Sequence, residues 1–379
     1  MYVSQMIRSK RALIWLITAA GLIILAASLF FIRKGYEKKL YDQRAYLSWS
    51  DRDAQAGQIS VFYPYDARMD SFAQKELEYR VKTELIKESA IDEDGCPFFT
   101  CSSASGKVVL EHNGKSFEAN AIGTEGDFFR FHPVKIVSGG TYSDDMLTPD
   151  RIMIDEDLAW QLFGAYEVSG QLISIGGVTH TIAGVFAIDR NGAIDKRAGI
   201  PDNLVFLSLY SLCQLGEVDG ADGPSDNGTD AAAVGTAKLY GISTWEIVMP
   251  DPVKNFALNI IKEAVGEKSS AQIVYNSKRY EPEYLGKNTG FILTGGMQTR
   301  PYAYPYWENI ALGWANVFTI MWFVQIMSTV IAIIILSVFA MILWKHRSWT
   351  FSGLWNRLMD KKYEMESRMR NTQKKWKYF

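Results

Sequence analysis

The chain has 379 residues, three cysteines, and 40 Lys and Arg against 42 Asp and Glu, for a formal net charge of −2. That length allows one or two domains, and the near-neutral balance gives no reason to expect a nucleic-acid partner. Three cysteines say little about the redox compartment. The informative feature is distribution, because the apolar residues concentrate in one block near each end.

The first block, residues 12–32, reads ALIWLITAAGLIILAASLFFI without a charge. As a helix of 21 residues it reaches about 32 Å, enough to cross a hydrocarbon layer of about 30 Å. Its basic flank and Ala26-Ala27-Ser28 fit a cleaved signal peptide. The apolar run continues past the small residues, however, and a retained transmembrane anchor is the reading adopted. Residues 35–49 then read as a helix or stalk leading away from the membrane. Residues 58–63 (QISVFY) alternate as a strand, and residues 72–89 form a helix capped by Asp70 or Ser71, with Leu77, Val81 and Leu85 on one face.

A strand-rich stretch follows. Residues 97–102, 107–112 and 116–123 are read as short strands separated by the turns ASGK and HNGK. Cys96 and Cys101 flank Pro-Phe-Phe-Thr, so a hairpin disulfide and a free pair of small buried residues both stand open; Cys213 has no evident partner in the sequence. Further strands are expected at 151–154, 172–175 and 179–186, with a helix at 156–163 and Gly176-Gly177 as a hairpin turn. Residues 216–237 hold Gly, Asp and Ala with almost no large apolar side chains, which predicts a mobile acidic loop. Asp219, Asp222, Asp226 and Asp230 lack the order of a calcium-binding EF-hand loop. A strand at 243–248 and a helix at 252–265 close the domain.

The second apolar block, residues 316–344, is longer than a bilayer requires and is read as a second transmembrane helix. Tyr302, Tyr304, Tyr306, Trp307 and Trp314 precede it, and Trp344 and Trp349 close it, as amphipathic rings do at membrane boundaries. The tail, 345–379, is a basic amphipathic helix suited to anionic lipid or a cytoplasmic partner. Residues 1–11 carry +3 and the tail +7; subtracting both from −2 leaves −12 for everything between. By the positive-inside rule both termini are cytoplasmic and residues 33–315 form an extracytoplasmic domain, in a chain of the cell membrane.

Catalytic signatures are not found. None of the four histidines, His112, His132, His180 and His346, has a neighbour at zinc-ligand spacing. Gly266-Glu267-Lys268-Ser269 lacks the glycines of a phosphate loop. The expectation is a protein that is not an enzyme, with no cofactor and no metal.

A family resemblance lies in residues 123–187. In order come Gly123, Gly126, Phe128 and Phe129; then Gly139; then Ala159, Phe163 and Gly164 within RIMIDEDLAWQLFG; then Gly170; then Gly184 and Val185. This order resembles the periplasmic core domain of MacB-like and FtsX-like ABC transporter permeases. The resemblance implies an α+β extracytoplasmic domain of strand–helix units between two transmembrane helices. It also implies a non-catalytic membrane subunit, paired as a homo- or hetero-dimer, coupling its outer domain to an ABC ATPase on a separate chain, beside a fuller permease subunit. The family follows its outer domain with three transmembrane helices where one is read here, so the chain looks like a reduced, two-span form. Two alternatives are a two-span scaffold of the polysaccharide co-polymerase type, whose outer domain is dominated by long helices, and a membrane-anchored sensor of an external ligand.

Overall fold

A computed structural model describes residues 10–48, 55–64, 67–91, 98–143, 150–218, 241–266, 269–287, 304–345, 355 and 359–364. The chain divides into two compact units, Lys34–Ile320 and a second made of Met1–Arg33 with Met321–Phe379.

Among the described residues, the larger unit is organised by one sheet of eleven strands. They are β1 (Ala56–Phe62), β2 (Phe99–His112), β3 (Lys115–Gly126), β4 (Lys135–Gly139), β5 (Arg151–Asp155), β6 (Leu172–Ile175), β7 (Val178–Ala187), β8 (Leu204–Ser208), β9 (Glu217–Val218), β10 (Thr244–Pro250) and β11 (Gln272–Tyr275). Their order is β11-β1-β10-β2-β3-β8-β5-β7-β4, with β6 between β2 and β7 and β9 beside β2. Most neighbours are antiparallel; β3/β8 and β5/β7 are parallel.

Both faces of the sheet are covered, so central strands are buried along their whole length instead of alternating in and out. The alternation survives as a choice between two cores. Ile59, Val61, Ile152, Ile154, Val205, Leu207, Trp245, Ile247 and Met249 enter one cluster. Met153, Leu204, Phe206 and Val248, next to them in the same strands, enter the other. The first cluster is closed by α2 (Ser71–Lys87), α4 (Glu156–Phe163), α6 (Leu209–Leu215) and α7 (Phe256–Val265). The second gathers the rings of α3 (Phe128–Phe131), Tyr142 and Trp307.

Several sequence readings hold with small shifts. Asp70 caps α2, accepting a hydrogen bond from Ala73 N at 2.7 Å. The hairpin β6–β7 turns on Gly176 and Gly177, both at positive φ, and β2–β3 on Asn113 and Gly114. Other readings are corrected. ASGK is not a turn: β2 is one strand of 14 residues. Gly106 sits inside it because a Cβ there would lie 2.3 Å from the Glu217 carbonyl oxygen of β9. Of the expected acidic loop, Gly216 instead ends α6 and Glu217–Val218 pair with β2 as β9; the rest of 216–237, from residue 219, lies outside the described residues. The helix predicted over 252–265 starts at Phe256, after Asn255 in the left-handed region. Strands β4, β8 and β11 are additions.

The helix reading of 35–49 is also corrected. Helix α1 (Lys10–Glu37) stops, and two short 3-10 turns, Tyr41–Gln43 and Ala45–Ser48, replace it. The reason is competition for backbone groups. The side chain of Gln58, buried in β1, accepts from Ala45 N at 2.8 Å and donates to the Asp42 carbonyl at 2.7 Å.

At the other end, helix α9 runs unbroken over Tyr306–Lys345, beginning ten residues before the predicted span of 316–344. Its 40 residues give a length of about 60 Å, twice the hydrocarbon thickness. The part up to Ile320 belongs to the domain, which accounts for the excess. The larger unit also holds two short helices, α5 (Asp195–Ala198) and α8 (Pro282–Lys287).

In the smaller unit, α1 and α9 are both long and apolar enough to cross a membrane. Their large side chains, such as Ile17, Phe31, Ile333 and Ile334, are exposed. On α1 the buried positions Ala12, Ala19, Ala26 and Arg33 recur every seventh residue. Of the basic tail beyond Lys345, residue 355 and residues 359–364 are described, and they are helical.

Candidate functional site

The second face of the sheet buries polar groups in a row. Cross-strand register sets Cys101 of β2 opposite Glu246 of β10, and Glu246 opposite Ser60 of β1. All three are at most 2% exposed. Trp245 and Ile247 point to the aliphatic core, so the pleat sends Glu246 to the other side. A slip of one residue would drive the carboxylate into the aliphatic cluster, so the register is strongly specified.

His132 meets this row from above. It follows the single helical turn of α3, its backbone N–H donating to Phe128 O at 2.9 Å. The turn is tied to β2 by Asp127 N–H, which donates to Thr100 O at 2.9 Å. Gly126, at φ +74°, makes that approach possible, because a Cβ there would lie 2.6 Å from Thr100 O. His132 Nε2–H donates to Glu246 Oε2 in a short contact, and Nδ1–H donates to Asp42 Oδ1 at 2.9 Å. Cys101 Sγ donates weakly to Glu246 Oε2 at 3.9 Å, while Ser60 Oγ donates to Glu246 Oε1 and accepts from Asn276 Nδ2 at 2.6 Å.

Electrostatics follow from this packing. Burial pulls the His132 pKa down, but the Glu246 and Asp42 carboxylates outweigh it and hold it up to about 9. The imidazolium is therefore the charged form at neutral pH, and both ring nitrogens donate. Rings enclose it: Trp307 lies 4.3 Å and Phe128 4.8 Å from its centroid, distances at which an aromatic face attracts a cation. Burial, with Glu246 next to it, pushes the Cys101 thiol well above its usual range, so it stays protonated.

A second ionic contact sits at the start of α9. Arg279 Nη2 donates to Glu308 Oε1 at 2.6 Å and Oε2 at 2.8 Å, with both side chains buried. Burial works against the Arg279 charge, yet Glu308 raises its pKa overall. Asn309 Nδ2 donates to Ala198 O at 3.0 Å and Tyr280 OH to Ala311 O at 3.3 Å. The first turns of α9 are thus fastened on several sides. Asp42, which lies five residues past the end of α1, is fastened by His132 and Gln58. All these groups belong to the unit Lys34–Ile320.

The residues singled out by the family pattern fall into two groups. Phe128 and Phe129 pack in the second face, where Phe128 touches both His132 and Trp307. The others hold the scaffold. Gly123 lets α6 lie directly on β3, with Leu209 and Leu212 where a Cβ would stand. Gly139 and Gly184 face each other across β4/β7, and Gly164 and Gly170 take positive φ after α4 and before β6. Ala159 and Val185 are fully buried in the aliphatic core, and Phe163 packs against it and the His112 ring. The Cys101 thiol is buried against Glu246; Cys96, the other half of the candidate pair, lies outside the described residues, as do Asp219, Asp222, Asp226 and Asp230. His132, Glu246, Asp42 and Trp307 were not legible as a site. Their one local signal is a lone acid inside the apolar strand TWEIVMP.

A family model described as the MacB-like periplasmic core domain matches residues 17–237. Among solved structures, the periplasmic region of MacB from Actinobacillus actinomycetemcomitans is 13% identical, with 61% of this chain and 93% of that one covered at a TM-score of 0.39. The extracellular domain of the noncanonic ABC-type transporter YknZ from Gram-positive bacteria is 12% identical, covering 57% of this chain and 99% of that one at a TM-score of 0.36. No curated protein matches.

Proposed function

This chain belongs to the MacB-like periplasmic core domain family, of ABC-type permeases, and from that premise we propose that it is a non-catalytic membrane subunit of a transport or mechanotransmission complex. ATP is hydrolysed by a separate ABC ATPase on the cytoplasmic side, and the outer domain acts on a substrate or partner across the membrane. In this reading both termini are cytoplasmic, as the +3 and +7 flanks of the −12 central segment favour. A fuller permease subunit or a second copy of this chain completes the assembly.

The observation that carries the proposal is the pair of buried ionic fastenings on the second face. Asp42–His132–Glu246 takes hold just past the end of α1, and Arg279–Glu308 takes hold in the first turn of α9. Within the larger unit, the segment after α1 is thus tied to β10 through His132, and the first turn of α9 is tied to Arg279; in the proposed role these are the attachments through which the outer domain is moved. The ligand-sensor alternative has no comparable support, and the co-polymerase alternative needs a domain of long helices where an eleven-stranded sheet folds.

The test is affinity purification of the tagged full chain from its native membrane. An ABC ATPase is expected to accompany it, with turnover that responds to the Glu308→Gln substitution; recovery without any ATPase would refute the proposal. Cysteine labelling from each side of sealed vesicles checks the termini.

A further inference from the structure

Beyond that reading, and independent of it, we propose that Cys101, His132 and Glu246 form a buried site for a divalent cation of the zinc class. Their candidate donor atoms, Sγ, Nε2 and a carboxylate oxygen, lie within 4.8 Å of one another, and all three residues are buried. They come from β2, from the end of α3 and from β10, so one ion would cross-link three elements.

The donor set fits the ion. Thiolate, imidazole and carboxylate together are the ligands a borderline-soft, tetrahedral cation takes, at about 2.3 Å for sulfur and about 2.0 Å for nitrogen and oxygen. The Sγ to Oε2 separation of 3.9 Å is already close to the edge of such a tetrahedron. Only the His132 and Glu246 side chains have to part, by a rotation of each, to admit the ion between them. The surroundings also match. His132 presents Nε2 because its Nδ1–H is held by Asp42, the carboxylate–histidine arrangement that orients a metal-binding imidazole. Glu246 Oε1 is steadied by Ser60, itself held by Asn276, and offers a fourth donor if the carboxylate turns.

A metal takes the imidazole and the thiol through deprotonated atoms, so loading releases protons from His132 Nε2 and Cys101 Sγ. No access for a substrate is needed, and the ion is structural.

The test uses the full chain in detergent, stripped with chelator and titrated with Co²⁺, whose thiolate charge-transfer absorption reports sulfur ligation. One equivalent is expected to bind with that band present. The band should vanish in Cys101→Ser and persist in the double variant Cys96→Ser/Cys213→Ser. Asp42→Asn should weaken binding by about 10–100-fold, as loss of an orienting partner does. Absence of the band in the unsubstituted chain overturns the site, and so does a band that survives Cys101→Ser. Should Cys101→Ser not fold, the double variant decides: a retained band supports Cys101, and a lost one overturns it.

Discussion

The face of the sheet under α2, α4, α6 and α7 buries mainly aliphatic side chains, with a few rings such as Trp245 and Tyr275, while the opposite face buries aromatic rings around charged groups. On the first face, Ile59, Val61, Ile247 and Met249 need only be apolar and of the right volume. On the second, Glu246, His132, Arg279 and Glu308 are each held by a named partner. Aliphatic packing tolerates volume-conserving change and resists little else. A buried ion pair is different: it adds little stability over an apolar pair, yet it is costly to break and sets which elements meet. The second face is where the chain beyond α1 and the start of α9 enter the domain, so geometry matters most there.

Breaking that face should give the largest effects. Glu246→Ala leaves the His132 imidazolium buried without its main counter-charge, and should cost about 3–5 kcal/mol in denaturant unfolding of the purified, chelator-treated chain. Arg279→Met alone should cost a similar amount, while Arg279→Met with Glu308→Leu should recover most of it. If the double variant is as unstable as the single one, the pair is more than an ionic contact. The aliphatic face offers the contrast. Leu85→Ala, at a fully buried position of α2, should cost about 2–5 kcal/mol. Under the proposed function it should leave the response of the copurified ATPase intact in the surviving folded fraction, whereas the second-face variants should lose it.

A pH series separates the faces without mutation. In chelator-treated protein, the His132 pKa is held at about 9 against an ordinary value of 6.5. Its contribution, about 3 kcal/mol, is complete below that ordinary value and is lost as pH rises through the folded pKa. Unfolding free energies measured on both sides of this window should fall toward alkaline pH, and the fall should be absent from His132→Gln. A flat profile in the unsubstituted chain would show that the ring is not charged.

Smaller effects sharpen the account of the scaffold. Gly126→Ala meets both a positive φ and the Thr100 carbonyl, and should cost about 1–3 kcal/mol in a thermal melt. Removing the α2 cap with Asp70→Ala should cost about 1 kcal/mol.

Much of the aliphatic face was legible because it obeys local periods. Leu77, Val81 and Leu85 repeat along a helix, and alternation or β-branched runs mark β1, β5 and β7. The glycine-bearing order from Gly123 to Val185 pointed to the family through turns and close backbone approaches, which are also local demands. The second face was not legible in this way. His132 and Glu246 are 114 positions apart and His132 and Asp42 are 90 apart, and neither pair leaves a spacing signature.

By itself the sequence determined two apolar helices, a domain between them, and the strand–helix pattern of a MacB-like core, because hydrophobic period and turn chemistry act within a few residues. Tertiary structure alone decided that ASGK lies inside a strand, that the stalk breaks at Glu37, and that α9 begins at Tyr306 within the domain. It also decided that a histidine, two acids and a thiol share one buried cluster. Each of these depends on a partner supplied by a distant strand: Glu217 against Gly106, Gln58 against Asp42 and Ala45, and Glu246 against His132. Such contacts follow from strand order and register, which the pairing of the whole sheet sets.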